Sequence, residues 1–210
     1  KVVSYSIMRK IKEYCNKKGI TLYMYLMGAA DILMYLYSGE NDVVIGSPIA
    51  GRSQAVLEKQ IGYYANTIAI RNYVSDNQTV AELLDVVKEN TLKSFNYQDY
   101  PFGRLVREKA NARISNRNPL FDVMMVLQNT NMIVNQKLMI GTMPITEIND
   151  LGTSSLFDLH IEFTENEYGI DIALDYDVDL FERQDIIGLG SDLVELLTLL
   201  MEDQTLIKDI

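Results

Sequence analysis

Few residues in this chain have the right type and spacing for catalysis. There is one histidine, His160, and one cysteine, Cys15. His160 lies between Asp158 and Glu162 at two-residue spacing, so on a strand all three share one face. A general base there would need an orienting partner and a cleft; the simpler reading is a histidine on a solvated strand face. With His160 and Cys15 far apart, no zinc-type ligand set can be assembled. Asp171, Asp175, Asp177 and Asp179 also read as a solvated face. A hard cation held by the last three would lack the glycine turn and closing glutamate of a calcium loop. The chain contains no Gly-x-Ser-x-Gly, no P-loop and no dinucleotide fingerprint. The residues therefore nominate no catalytic group and no metal site.

The loops are richer. Gly46 to Arg52 (GSPIAGR) is dense in glycine and proline, and Ile61 to Arg71 (IGYYANTIAIR) is led by a glycine. Tyr97 to Asn129 holds two of the four prolines. Within it, Pro101 to Asn118 sets Arg104, Arg107, Lys109, Arg113 and Arg117 against a single acid, Glu108, although the net charge of the chain is −10. Such a segment either solvates a helix or docks an acidic partner or a phosphate-bearing arm. Loops that spend so many special residues are structural locks or walls of a site.

The elements that position these loops follow from periodicity. Ile7, Met8, Ile11, Tyr14 and Cys15 have helical spacing over 4–18, with Gly19 as the stop. Cys15 is expected to be packed rather than reactive. Thr21 caps a helix over 22–37 that is apolar on nearly every side and so belongs in the middle of the fold. Residues 42–45 predict a short buried strand opening into loop 46–52, and 53–60 a short helix. Asn66 and Thr67 stand at the turn into the next strand. Thr79 and Glu82 form a capping box for a helix to 96, with Val80, Leu83, Leu84, Val87 and Phe95 facing inward. Pro101 suits the first turn of a helix over 101–110. A buried strand over 120–128 and a weaker one over 136–141 come next, then a loop over 143–152. Phe157 to Thr164 and Ile170 to Tyr176 alternate strictly and predict a hairpin with one wet face. Asp179 and Glu182 would cap a last helix over 180–202, with Phe181, Ile187, Leu193, Leu197 and Leu200 inward.

With 210 residues, 48% of them hydrophobic and 23% charged, one globular α+β domain is expected, two small ones being possible. The acidic balance argues against a nucleic-acid footprint. No apolar run reaches the roughly 18–20 residues of a membrane span. Sparing cysteine use is consistent with the cytoplasm.

Six segments, in order, resemble the condensation domains of nonribosomal peptide synthetases. Gly46 to Arg52 is similar to their "GTPVAGR" loop. Ile61 to Thr67 with Arg71 resembles "IGxFVNT…R", and Tyr97 to Phe102 resembles "HQDYPFE". Arg113 and Arg117 to Phe121 resemble "RDxSRNPLF". Phe157 to Leu159 and Tyr176 to Phe181 resemble "FDL" and "YNTDLF". Tyr97, Gly103, Ile114 and Asn116 depart from the family's His, Glu, Asp and Ser, and Tyr64 and Ala65 from its Phe and Val.

The resemblance implies a chloramphenicol-acetyltransferase-like lobe, a mixed sheet flanked by helices. It further implies that residues 1–210 are the C-terminal lobe. The family's His-His-x-x-x-Asp-Gly motif lies in the N-terminal lobe and cannot be present in a chain with one histidine. The implied partners are that lobe and the carrier proteins, whose phosphopantetheine arms bring acyl and aminoacyl thioesters to a tunnel between lobes; no cofactor is expected on the chain itself. By the same resemblance, Gly46, Ser47, Pro48, Gly51, Arg52 and Gly62 would form wall or floor, and Asn66 and Thr67 would face the tunnel. Gln98, Asp99, Pro101, Phe102, Arg117, Asn118 and Pro119 would fix loops beside it. Arg104, Arg107 and Lys109 would meet a carrier, and a segment within 141–157 would cross to the partner lobe. A related acyltransferase or epimerase on the same fold, and a degenerate lobe recruiting a carrier or tailoring protein, are the competing readings.

Overall fold

The computed structural model describes residues 1–57, 59–109, 117–128, 139–140, 143–144 and 155–210. Strand β1 (Val2–Ser4) leads into helix α1 (Tyr5–Lys18), and helix α2 (Leu22–Ser38) follows. Gly19 and Gly39 end these helices with φ of 63° and 71°, a left-handed conformation that glycine adopts without a Cβ penalty. Strand β2 (Asp42–Ile49), a single 3-10 turn (Ala55–Leu57) and strand β3 (Asn66–Tyr73) come next. Helix α3 (Val80–Asn96) carries the expected capping box: Thr79 Oγ1 accepts from Glu82 N, and the Glu82 carboxylate accepts from Thr79 N. Helix α4 (Phe102–Lys109) begins one residue after Pro101.

Strand β4 (Val123–Gln128) is followed by the two-residue strands β5 (Met139–Ile140) and β6 (Met143–Pro144), which among the described residues pair with each other. The expected weak strand over 136–141 and loop over 143–152 lie largely outside the described residues. Strands β7 (Leu159–Asn166) and β8 (Gly169–Tyr176) form the expected hairpin, and helix α5 (Arg183–Leu199) follows.

Six strands make one mixed sheet in the order β1-β8-β7-β4-β2-β3. The pairs β2–β4 and β4–β7 are parallel; β2–β3, β7–β8 and β1–β8 are antiparallel. Register sorts the side chains: Ile45, Ile70, Met125, Ile161 and Phe163 project to one face and are fully buried, in one cluster with α1, α2, α3 and α5. Ten consecutive residues of α2, Met24 to Leu33, are buried, as an all-round apolar helix requires. His160, Glu162 and Thr164 alternate onto the other face.

Three expectations are corrected. The strand over 42–45 runs on to Ile49, because each residue of β2 is paired with β3 and that ladder overrides the turn propensity of Gly-Ser-Pro. The last helix starts at Arg183; Glu182 is its cap position but makes no side-chain cap bond, and Asp179 lies in a turn, its N–H donating to Asp177 Oδ1 at 2.9 Å. Ile186 rather than Ile187 faces the core on α5. Strand β1, unseen in the periodicity, zips Val2–Ser4 onto the outer edge of β8.

Candidate functional site

The loops of interest gather where β2 parts from β4. These parallel strands pair only at Ile45–Val123 and Gly46–Met124, although both continue beyond. At the next position the Ser47 hydroxyl donates to Met125 O at 3.0 Å, a side chain taking the place of a ladder bond. Pro48, with no N–H to give, lies past the last pair. A cleft of about 510 Å³ opens here, outside the carboxyl ends of the two strands, where open α/β sheets place their ligands. Its walls include Tyr23 from the first turn of α2, Phe95 from the last turn of α3, Gln98 from the turn beyond it, and Val126 and Leu127 from β4. The end of β2 and the loop over 50–53 close one side.

Tyr23 and Phe95 meet edge to face, ring centroids 5.9 Å apart. The Tyr23 hydroxyl is buried and has no hydrogen-bond partner among the described residues. Burial pushes its pKa up to about 12, against a smaller opposing pull from the nearby Ser47 hydroxyl, whose own proton is committed to Met125 O. It is therefore a neutral donor at physiological pH. The lone pairs of Ser47 Oγ, whose proton goes to Met125 O, face it as the nearby acceptor. Neither Tyr23 nor Phe95 was nominated from sequence for this role, because both sit in apolar helical patterns that read as core.

The flanking loops are held by side chains that spend their hydrogen bonds on backbone. Gly51 has φ 62°, and a Cβ there would lie 1.8 Å from Tyr64 O, so only glycine fits. Arg52 donates to the carbonyls of Leu57, Gln60 (2.9 Å) and Gly62 (3.2 Å), and its guanidinium stacks 4.6 Å from the Tyr64 ring centroid. One cation thus ties residues 57–64 to the end of β2. Asn66 Nδ2 donates to Gln98 O and Tyr100 O, both at 2.8 Å, and Oδ1 accepts from Phe102 N at 3.2 Å. The amide pins the α3–α4 turn to β3 and keeps no donor for a ligand. Thr67, one residue on, projects to the opposite sheet face. Asp99 and Pro101 are exposed in the turn.

On the open face, Phe121 occupies the space a side chain at position 46 would need: a Cβ on Gly46 would fall 2.2 Å from its ring. Phe121 is 4% exposed and stacks between Phe102 and Phe157 at 5.7 and 5.8 Å. Asn118 Oδ1 accepts from Leu120 N and Phe121 N, which sets the turn into β4 with Pro119 inside it. Arg117 grips Asp122 with two bonds of 2.9 and 2.5 Å and reaches Asp158 at 3.4 Å. Asn118, Pro119 and Arg117 thus shape a strand entry. His160 Nδ1 lies 3.2 Å from Asp175 Oδ2 across the hairpin, away from the cleft.

Of the basic segment, Arg104 is paired with Glu108 at 2.8 Å and stacks on Tyr100 at 5.5 Å. Arg107 and Lys109 are exposed and make no ion pair among the described residues. Arg113 lies outside those residues. Cys15 is buried, and burial pushes its thiol up to about 12. No group of three or more His, Cys, Asp or Glu side chains suited to a metal occurs among the described residues. No single described helix is long and apolar enough to cross a membrane.

A family model described as the condensation domain matches residues 2–208. The chain belongs to the condensation-domain family. Tyrocidine synthase 3 of Brevibacillus parabrevis is 33% identical over 199 residues, which is 95% of this chain and 3% of that protein. Holo-AB3403, a four-domain nonribosomal peptide synthetase bound to AMP and glycine, superimposes with a TM-score of 0.87 at 22% identity, over 100% of this chain and 17% of that one. The first condensation domain of the calcium-dependent antibiotic synthetase, in complex with a substrate analogue, gives 0.75 at 17% identity, over 100% of this chain and 45% of that one. The chain spans only 2–5% of the length of the curated relatives it matches. The mixed sheet flanked by helices is the fold of condensation-domain structures, as the sequence motifs led one to expect.

Proposed function

We propose that this chain is the C-terminal lobe of a nonribosomal peptide synthetase condensation domain, and that it walls the site at which carrier-bound acyl and aminoacyl groups are joined by an amide bond. The observation that carries the reading is a family match over 2–208 in a chain with a single histidine. That histidine is held by Asp175 through Nδ1 and lines a different hollow, beside the β7–β8 hairpin, not this cleft. Coverage of 45% of a solved condensation domain supports half a domain rather than a whole one.

In this reading the chain supplies shape. The aminoacyl amine attacks the donor thioester carbonyl, the carbon–sulfur bond breaks, and the acyl chain moves to the acceptor arm. The proton lost by the amine is managed by the partner lobe, which would carry the histidine pair. Asn66, Arg52 and Gly51 hold the loops, while the β2–β4 gap gives depth. The phosphopantetheine arms belong to the carriers. Arg107 and Lys109, uncommitted to other described side chains, would meet an acidic carrier surface.

The reading is tested in the parent synthetase with His160→Ala. Amide formation between two loaded carriers is expected to continue at near the original rate. Its loss, with folding intact, would place the proton chemistry in this chain and overturn the proposal.

A further inference from the structure

We infer that the outer edge of β8 over Ala173–Tyr176 is a docking strip for an extended peptide strand, and that its occupant is the segment leading from the partner lobe into Lys1, laid antiparallel to β8 as a continuation of β1. The inference rests on the reading above that a partner lobe precedes this one in the same polypeptide; it adds the strip, the register and the direction.

Three observations carry it. First, the edge is only half covered. Strand β1 pairs Ser4, Val3 and Val2 with Gly169, Ile170 and Asp171. Lys1 adds one more rung, its amine donating to Ile172 O at 2.8 Å and its carbonyl accepting from Ile172 N at 2.7 Å. Strand β8 runs on to Tyr176, and among the described residues no strand lies on that side of Ala173–Tyr176. Burial follows the cover. Ile170 and Ile172, beside β1, are buried; Leu174 and Tyr176 are half-buried, and Ala173 and Asp175 are exposed.

Second, the ladder says which groups are unpaired. In an antiparallel sheet, alternate residues turn both backbone groups to the same neighbour. Ile172 turns its pair to Lys1, so Leu174 and Tyr176 turn theirs to the same open side. The odd residues serve β7, as Asp177 N does in donating to Asp158 O. Two N–H and two C=O groups are thus aimed along one lane, the template that strand addition uses. Third, the lane has room and a direction. A hollow of about 700 Å³ is lined by Leu174 to Asp179 and Ser155 to Phe157. A strand extended backwards from Lys1 in the observed register sets its first residue opposite Ala173, its second opposite Leu174 and its fourth opposite Tyr176. The second and fourth exchange hydrogen bonds with β8, which excludes proline at both. The third stands across from Asp175, itself 3.2 Å from His160, so an acidic residue there would meet like charge.

The test is amide hydrogen exchange followed by NMR, in the two-lobe domain of the parent polypeptide and in the 210-residue chain. The Leu174 and Tyr176 amides are expected to exchange at least about tenfold more slowly in the two-lobe domain, the effect of one net hydrogen bond. Ala173 and Asp175, already paired with Glu162 and His160 of β7, should change far less. Proline placed at the second and fourth residues before Lys1 should return Leu174 and Tyr176 to the fast rate. That variant is also the unpaired reference should the 210-residue chain fail to fold alone. Equal rates with and without the paired segment, or an even slowing across 173–176, would overturn the inference. So would protection already present in the 210-residue chain, whether from its own residues or from a second copy. The readout involves no turnover. A protected edge in a domain that makes no amide would defeat the proposed function alone, and an unprotected edge in an active domain would defeat only this inference.

Discussion

Replacing Asn66 by alanine tests how the site loops are held. The side chain makes three hydrogen bonds, to Gln98 O, Tyr100 O and Phe102 N, and among the described residues these alone join the start of β3 to the turn between α3 and α4 through a side chain. A net hydrogen bond is worth roughly 1 kcal/mol, less where water can replace it. The Tyr100 contact is exposed and the other two are half-buried, so the loss should total about 2 kcal/mol. For a chain of this size that lowers Tm by roughly 4–8 °C. Urea unfolding of both proteins gives the free energy, and hydrogen exchange gives its location. Faster exchange is expected in 97–109, with β7 and β8 unaffected. A change below about 0.5 kcal/mol, or exchange that rises evenly across the chain, would refute the idea that Asn66 works as a staple.

Other outcomes follow from the same geometry. Asp31 is fully buried on α2, bonded to Asn72 Nδ2 at 2.7 Å, and burial, the dominant effect, raises its carboxyl well above the usual carboxylate range. A raised acid contributes stability that is complete below its unfolded pKa of about 4 and is lost as pH rises through the folded value. Asp31→Asn, which cannot ionise, should therefore gain on the wild type in urea midpoint between pH 5 and pH 8; a constant difference would contradict this. Gly51→Ala should cost at least about 1–3 kcal/mol, from the forbidden φ and the Tyr64 carbonyl behind it, with thermal melting as the check. Arg107→Glu with Arg104→Glu should weaken binding of an acidic carrier protein tenfold or more at low salt and little at high salt, by calorimetry; unchanged binding would remove this surface as the dock.

Much of the frame was legible because its signals are local. Thr79 and Glu82 announce a cap whatever surrounds them, and the alternation from Leu159 to Tyr176 fixes both strand type and inward face, although Phe157 just before it turns to Phe121 on the open face. Gly19 and Gly39 stop helices where left-handed backbone is needed. What was missed depends on partners distant in sequence. Val2–Ser4 is too short to show a period and is a strand only because β8 offers an edge. Gly46-Ser47-Pro48 reads as a turn until β3 is seen to pair along it. Ile186 and Ile187 are adjacent and equally apolar, so spacing alone cannot choose between them. The site loops were found through their unusual composition, but composition cannot tell a side chain that faces a ligand from one spent on backbone. Asn66 and Arg52 show this, and the cleft itself is lined by Tyr23 and Phe95, which look like ordinary core.

The most direct test is reconstitution. The chain is mixed with a histidine-bearing lobe of the same parent polypeptide and two loaded carriers, and the amide product is followed by mass spectrometry. The account predicts no product above background from this chain and the carriers, and product once the second lobe is supplied. Turnover by the chain with carriers alone would contradict it.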